Sequence, residues 1–444
     1  MAQTPPRDAV VVCYRRRIQA TDARGGPALH AVAQQPHPKA ADSSLAALLA
    51  VPGFKSLFVS TWLWHTTRWC GLFSSSYLIT RLADAPFLNQ LVGAFVFAPM
   101  LIGGMAAGAF SDQVDRRRIV LGTQAALIPV SVGMFVLVQT DTVRVWMLFP
   151  FMFSLGLGGL VNLTAQRPLI YETVGPVLAP RALALETVGA AAASITGSLL
   201  AGTMIELIGI GAAFAYLMVA LTVSALLLYR VRHIVDSRAP MQSMPSVPLS
   251  ETMQSSVRLL RRSPSLASLL GVTVVVNLCY FSFVPLVPVM AQRFDANAFM
   301  AGALGATAGC SQMVVGLFLS SRGVARRGHV YVGGSAVALA GLGLFALAPY
   351  FGLAFVALLL AGAGQGGFGS MQSVLTIESA GHTERGAAQG LLSTAIGAMP
   401  LGMLLLGASA QLFGPRVAIL LSSAMGLTLL AAWMTWRPQV LTKG

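Results

Sequence analysis

The chain has 444 residues, of which 55% are hydrophobic and only 10% are charged. A soluble protein of this length needs roughly a quarter of its residues charged. The composition therefore excludes a soluble globular protein and predicts a surface that mostly faces lipid. A net charge of +14 would suit a nucleic-acid-binding protein, but the sequence has no soluble module with a clustered basic face, so we expect no nucleic-acid partner.

The segments follow a simple order along the chain. Residues 1–53 are predicted to be a disordered cytoplasmic tail. Two apolar blocks follow at 54–231 and 266–436, separated by a polar cytoplasmic linker at 232–265, and a short tail occupies 437–444. A spanning helix needs about twenty mostly apolar residues. Each block contains six such stretches, which predict an all-α membrane protein with helices at 57–80, 87–110, 119–138, 145–166, 188–208, 213–231, 266–291, 300–320, 330–348, 353–375, 388–412 and 416–436.

Positive charge alternates between the predicted loops. If the N-terminus is cytoplasmic, 24 of the 29 Lys and Arg residues fall in cytoplasmic segments and only four in outer loops, the remaining one being Arg68 inside the first helix. Cytoplasmic segments of membrane proteins are enriched in Lys and Arg. The pattern therefore predicts twelve crossings with both termini in the cytoplasm.

The two blocks resemble each other in sequence. GSLLAGTMIELIG at 197–209 matches GMLLLGASAQLFG at 402–414, and Gln166 in the fourth helix recurs as Gln372 in the tenth. The matches share offsets of about 205 to 208 residues. A six-helix repeat keeps its orientation, so the blocks are predicted to be parallel copies related by an axis along the membrane normal.

The loop between the second and third helices carries the most specific motif. Gly108 is followed by Asp112, Asp115, Arg116 and Arg117. This spacing resembles the signature loop of the major facilitator superfamily, although Asp115 stands where glycine is typical. The resemblance implies the twelve-helix major facilitator fold and a charge cluster that gates the cytoplasmic side. The alternative is a loop that only sets topology.

Three further stretches resemble one branch of this family. DRRRIVLGTQ at 115–124, ERGAAQG at 384–390 and PLGMLLLG at 400–407 are similar to bacterial exporters related to the enterobactin exporter, also described as transmembrane secretion effectors. The resemblance implies a multi-pass protein of the bacterial inner membrane that exports a siderophore-like metabolite or drug, and we expect a monomer. The chain departs from drug exporters at Gly197-Ser198, where they often carry Gly-Pro.

Polar residues inside predicted spans are costly and tend to face a cavity. They concentrate in the first, fourth, seventh and tenth helices, which line the central pathway in this superfamily. We therefore predict a substrate-binding set of His65, Arg68, Trp69, Asn162, Asn277, Tyr280, Gln365 and Gln372.

Arg68 is the most informative member of this set. A charge at the centre of a bilayer costs about 3 kcal/mol or more, and His65, Arg68 and Trp69 share one helix face. A cation beside an indole could hold a carboxylate, a catecholate or a similar anion. The alternatives are a structural pair with a carboxylate or helix carbonyls, and a displaced helix boundary.

The energy source is predicted from what the sequence offers. There is no Walker-type ATP-binding motif, so a proton gradient is the expected driving force, with no cofactor and no metal. Glu206 and His65 are the candidate coupling residues. Three functions remain open: an exporter, a symporter that imports an organic anion, and a membrane-embedded enzyme such as a lipid-linked transferase. Such an enzyme would need clustered acids and a large loop, which the sequence lacks. We expect a transporter of a small molecule rather than an enzyme.

Overall fold

The computed structural model describes residues 45–83, 85–111, 115–231, 258–322, 324–380 and 384–442. Their regular structure is helical, and twelve long helices dominate it. We number these helices α1 to α12: Phe54–Leu82, Pro86–Ser111, Arg116–Gln139, Val145–Gly175, Val177–Leu207, Ile210–Arg230, Pro264–Gln292, Ala298–Arg322, Arg327–Leu347, Phe351–Glu378, Ala387–Phe413 and Pro415–Trp436.

Each predicted segment corresponds to one of these helices. In the part of the chain that the structure describes, α3 to α12 are long and apolar enough to cross a membrane, and α2 contributes the apolar stretch Pro86–Leu101. The 29 residues of α1 span about 44 Å at 1.5 Å per residue, although this helix carries several polar residues. The prediction of an all-α membrane protein is confirmed, and the described residues contain the twelve long helices that the sequence pattern indicates.

The boundaries between α4 and α5 were predicted wrongly. The fourth helix was expected to end at 166, but it continues through a π-helical turn at Asn162–Gln166 as far as Gly175, where a φ of 77° breaks the path. The fifth helix starts at Val177 rather than 188. Arg167, Glu172 and Glu186 therefore lie in helices, where the sequence pattern placed loops. Amphipathic helix ends of this kind do not appear as apolar runs.

Three short segments at the ends of the blocks also differ from expectation. Leu45–Ala50, assigned to the disordered tail, form a helix whose Leu48 is fully buried in a cluster with Phe54 and Leu57. Residues 258–262 of the predicted linker are helical, whereas 1–44 and 232–257 lie outside the described residues. In the predicted C-terminal tail, Pro438–Thr442 form a 3₁₀ turn that buries Val440. Burial of a single apolar side chain anchors the first and last of these segments.

One side of the bundle carries most of its positive charge. This basic side holds the first residues of α1, α3, α5, α7, α9 and α11 and the last residues of the even-numbered helices; among its described residues are Arg116, Arg117, Arg118, Arg230, Arg261, Arg262, Arg326, Arg327 and Arg437. The other side is called the opposite side below.

Ion pairs on the basic side repeat between the two halves. Arg116 at the start of α3 pairs with Glu172 near the end of α4, and Arg327 at the start of α9 pairs with Glu378 at the end of α10. The equivalent ends of equivalent helices are joined in each half, as expected for parallel copies.

A hydrogen bond between the first and fourth helix of each half repeats in the same way. The Gln166 side chain donates to the Thr61 hydroxyl, joining α4 to α1, and the Gln372 side chain donates to the Thr273 hydroxyl at 3.4 Å, joining α10 to α7. The sequence match between Gln166 and Gln372 thus reflects a shared structural contact between the first and fourth helix of each half.

The halves meet mainly along two helix pairs, and small residues make both contacts close. In the α5–α8 pair, a Cβ atom built on Gly202 would lie 2.9 Å from the Gly302 Cα, and one on Gly305 would lie 3.3 Å from the Ser198 Cβ. In the α2–α11 pair, a Cβ on Gly407 would lie 2.8 Å from that of Gln90. Small residues let membrane helices approach closely and gain van der Waals contact.

Apolar side chains cover much of the outside of the bundle. Many large hydrophobic residues of α6, α8, α10, α11 and α12 are around half exposed, among them Val219, Leu226, Val314, Val356, Leu405 and Leu421. Such a surface is unstable in water but suits the hydrocarbon core of a bilayer.

Candidate functional site

A cavity of about 360 Å³ lies between the two halves. The first half contributes α1 and α5, and the second contributes α7, α8 and α10. Five of the eight predicted binding residues line this cavity: His65, Arg68, Trp69, Tyr280 and Gln365. Its position and size are those of a small-molecule site.

Arg68 projects from the middle of α1 against two apolar neighbours. Its guanidinium carbon lies 4.7 Å from the centroid of the Phe97 ring on α2. A Cβ atom built on Gly159 of α4 would lie 3.6 Å from the same carbon, so α4 passes the guanidinium at ordinary van der Waals distance. No described residue accepts a hydrogen bond from Arg68 or pairs with it as a carboxylate. Arg68 is therefore a cation in the cavity wall without a carboxylate partner in the described part of the chain.

His65 lies one turn earlier on α1 and belongs to a charged chain. Its Nε2 lies 3.2 Å from Oε1 of Glu186 on α5, and the Nε of Arg167 on α4 donates to Oε2 of the same carboxylate at 3.1 Å. A carboxylate only accepts hydrogen bonds, so Nε2 carries a proton in this geometry. The Glu186 side chain is 1% exposed. Three helices of the first half are thus joined through one buried carboxylate.

Glu186 is the functional candidate that sequence reasoning missed. The predicted fifth helix begins at 188, so the sequence pattern places Glu186 just outside it, near the cytoplasmic side. The next residue, Thr187, lines the cavity. Glu186 could have been identified as a site residue only if the polar start of α5 had been recognised as helix. A contact between positions 65 and 186 has no signal in a single sequence.

A second cavity, of about 560 Å³, adjoins the His65–Glu186–Arg167 chain on the basic side of the bundle. Arg167 and Glu186 line it together with Arg116 and Tyr171, and Thr187 lines both this cavity and the central one. The His65–Glu186–Arg167 chain therefore lies between the central cavity and the basic side of the bundle.

The seventh helix changes geometry where it faces the cavity. Its α-helical part ends at Cys279, a 3₁₀ segment follows at Phe281–Leu286 with Pro285 inside it, and the α-helix resumes at Val287. Proline cannot donate the backbone hydrogen bond that an α-helix needs at this point, and a 3₁₀ segment within a helix often marks a hinge. Tyr280, at the start of the break, donates its hydroxyl to Gln365 of α10 at 3.2 Å.

The other three predicted binding residues lie outside the cavity lining and are hydrogen-bonded within their own halves. The Asn162 amide donates to Gln166, and the Asn277 amide donates to the Thr273 carbonyl at 2.8 Å. Gln372 bonds Thr273. Asn162 and Asn277 are buried, and Gln372 is partly exposed. Polarity within a span could not distinguish a hydrogen bond inside one half from a side chain that faces the cavity.

The signature loop is described only in part. Gly108 lies in α2, and Asp112 lies outside the described residues. Asp115 caps α3, since its carboxylate accepts the amide hydrogens of Arg117 and Arg118 at 2.9 and 3.2 Å. The Arg117 side chain donates to the carbonyls of residues 228 and 229 at the end of α6. With the Arg116–Glu172 pair, these contacts all lie within the first half.

Glu206 lies at the far end of α5, on the opposite side of the bundle. Its carboxylate accepts the backbone amide of Ala298, the first residue of α8, at 3.0 Å. A negative charge at a helix N-terminus is favourable because it meets the positive end of the helix dipole. Glu206 thus joins the two halves where Gly202 and Gly302 also meet.

Two six-helix halves around a central cavity define a membrane transporter rather than an enzyme. The family model described as Major Facilitator Superfamily matches residues 57–400. The chain belongs to the major facilitator superfamily.

Solved structures share this fold. A bacterial homologue of the human lysosomal transporter Spinster, in an inward-facing and unoccupied conformation, superposes with a TM-score of 0.69 at 14% identity, covering 88% of this chain and 98% of that one. The nucleoside transporter NupG superposes with a TM-score of 0.67 at 14% identity, covering 86% and 99%. No curated protein matches the chain in sequence. At these identities the likeness concerns the fold alone.

Proposed function

We propose that the protein exports a small anionic or neutral molecule, such as a siderophore-like metabolite or a drug, across the bacterial inner membrane by alternating access. The observation that carries the proposal is Arg68, a cation in the central cavity that no described acceptor or carboxylate satisfies. The cost of placing a charge there is offset when a ligand supplies the anion. The basic side faces the cytoplasm in this proposal, because Lys and Arg are concentrated there, and the transporter works as a monomer.

Import of an organic anion is the second candidate. Arg68 supports it equally well, because a cavity that binds an anion can release it to either side. Export is preferred on the resemblance of residues 115–124, 384–390 and 400–407 to exporters.

We also propose that a proton gradient drives transport through the His65–Glu186–Arg167 chain. In this chain the His65 imidazole and the Arg167 guanidinium share one buried carboxylate. When the imidazole takes up a second proton, it gains a positive charge beside Glu186 and one turn from Arg68. Because like charges at this spacing repel, the protonation of His65 and the occupancy of Arg68 by an anion are energetically linked. Glu206 is the weaker coupling candidate, since it is exposed and caps α8.

Direction and cargo are tested by comparing culture supernatants and cell extracts of deletion and overexpression strains. Export predicts a metabolite that disappears from the supernatant on deletion and increases on overexpression. A metabolite that instead accumulates outside the deletion strain would support import.

The role of Arg68 is tested with that metabolite in everted vesicles. Arg68→Ala is expected to abolish transport while the protein still reaches the membrane. Arg81→Ala is the matched control, because Arg81 is exposed at the end of the same helix and, among the described residues, hydrogen-bonds only to Tyr77 one turn earlier. Equal transport by the two variants would remove Arg68 from the site.

Coupling is tested by separating driven accumulation from exchange. Glu186→Gln is expected to lose accumulation driven by a pH gradient while retaining counterflow, since exchange requires no net proton movement. Glu206→Gln is expected to retain both. The reverse result would transfer the coupling role to Glu206.

A further inference from the structure

The central cavity is polar at one end and apolar at the other. Near the basic side and the middle, His65, Arg68, Gln312 and Gln365 supply charged and amide groups. Toward the opposite side the wall becomes apolar, with these residues from α1, α7 and α8: Leu72, Phe73, Phe283, Val284, Val287 and Leu304. The charged and amide groups are thus confined to the basic side and the middle, whereas the hydroxyls of Ser76, Ser194 and Ser198 are the polar side-chain groups among the apolar residues farther along.

The length of this gradient follows from the geometry of α1. Its cavity-lining residues recur at 65, 68, 69, 72, 73 and 76, which is the spacing of one helix face. Arg68 and Ser76 are eight residues apart, or about 12 Å along the helix axis. Ser76 is 1% exposed and its hydroxyl has no hydrogen-bond partner among the described residues. The cavity is therefore elongated, with a cation near one end and an unsatisfied hydroxyl at the other.

The charge of the occupant follows from the lining. No Asp or Glu lines the central cavity in the described part of the chain; Glu186 is held behind His65 and is already shared with Arg167. A cationic ligand would meet Arg68 without a compensating carboxylate, whereas one anionic group is sufficient to neutralise it. Aromatic and aliphatic side chains on both halves then face the remainder of the ligand.

On the basis of the proposed transport function, we infer that the substrate is an elongated amphiphilic monoanion. Its carboxylate, sulfonate or similar group binds Arg68, and its aryl or alkyl body lies between α1 and α7 in the direction of Ser76. This excludes two classes that the fold alone would allow: organic cations, and small hydrophilic anions that fill only the polar end.

The inference is tested by binding to the full-length protein in lipid nanodiscs. The probes are n-alkane sulfonates from ethane- to octanesulfonate, which displace the fluorescent monoanion 1-anilinonaphthalene-8-sulfonate, with empty nanodiscs as the blank. Each buried methylene is expected to increase the affinity of the sulfonate by roughly fourfold. This gain is expected to stop when the alkyl chain reaches the end of the apolar region, about 12 Å from Arg68. Matched alkyltrimethylammonium ions and alkanols are expected to displace the probe far less.

Variants separate the two ends of the ligand. Arg68→Gln is expected to weaken all sulfonates by the same factor, of at least tenfold, and to leave the dependence on chain length unchanged. Leu304→Ala is expected to reduce the gain per methylene and to leave ethanesulfonate unaffected. Affinity that does not change with chain length, or cations that bind as well as sulfonates, would overturn the inference.

The outcome is distinguishable from failure of the proposed function. Binding in nanodiscs does not require turnover. Sulfonates that bind as expected but are never transported, while no other cargo moves, would refute transport and retain the site. Transport of another cargo with no binding of any alkane sulfonate would retain the transporter and refute this substrate class.

Discussion

Replacing Gly202 by alanine is expected to open the opposite side of the transporter. A Cβ atom at this position would lie 2.5 Å from the carbonyl oxygen of Ala298 and 2.9 Å from the Cα of Gly302. Ordinary van der Waals contact begins at 3.4 Å, and both neighbours are backbone atoms that cannot rotate away. The contact between α5 and α8 must therefore separate by close to 1 Å, or the added methyl must be accommodated as overpacking.

The size of the effect follows from where this strain acts. Overpacking by one methyl costs about 1–3 kcal/mol. The cost applies only to the conformation in which α5 and α8 touch at this end, so it shifts the balance between conformations by roughly 5- to 150-fold. A conformation with separated ends that is populated at about 1% would rise to about a quarter of the molecules for a cost of about 2 kcal/mol.

Distance measurement by electron spin resonance tests this shift. Spin labels at Leu207→Cys and Phe299→Cys, in a background without the four native cysteines, report on the two helix ends; both positions are exposed. Gly202→Ala is expected to add a population at longer distance. Gly133→Ala is the control, because nothing lies within 4 Å of a Cβ at that position in α3. Identical distance distributions in the two variants would refute the argument.

Two further predictions concern stability. Gly158→Ala places a Cβ 2.3 Å from the ring of the buried Trp64 and is expected to destabilise the protein by about 1–3 kcal/mol. Gly159→Ala makes only ordinary contact with its neighbours and is expected to retain the wild-type melting temperature in nanodiscs. Equal melting temperatures for the two variants would contradict the packing argument. Ser268→Ala removes the hydroxyl that accepts the amide of Val440 at 3.3 Å and holds the C-terminal turn, so limited proteolysis is expected to remove the last residues faster than in the wild type, without a change in the rest of the digest.

Much of the fold was predictable because its determinants are local. A span is recognised by the length of an apolar run, and the charge of a loop by its composition, so each could be found without a partner. The internal repeat was also visible, since Gln166 and Gln372 occupy equivalent positions, and the structure confirms the twelve-helix fold. Helix ends such as Leu45–Ala50 and the start of α5 were missed because their apolar face is too short to form a run.

The candidate site was predictable only as a set of costly residues. Arg68 is recognisable in the sequence because a charge in a span is rare, but whether it has a partner depends on side chains from α2 and α4. The tertiary structure leaves it against Phe97 and Gly159 with no described carboxylate. It also joins His65 to Glu186, 121 positions away, and places Asn277 in a bond within its half. The apolar length and the charge of a segment are properties of that segment alone, so the sequence itself determines them. The pairing of polar groups depends on which helix faces come together, and only the packing of the helices decides that.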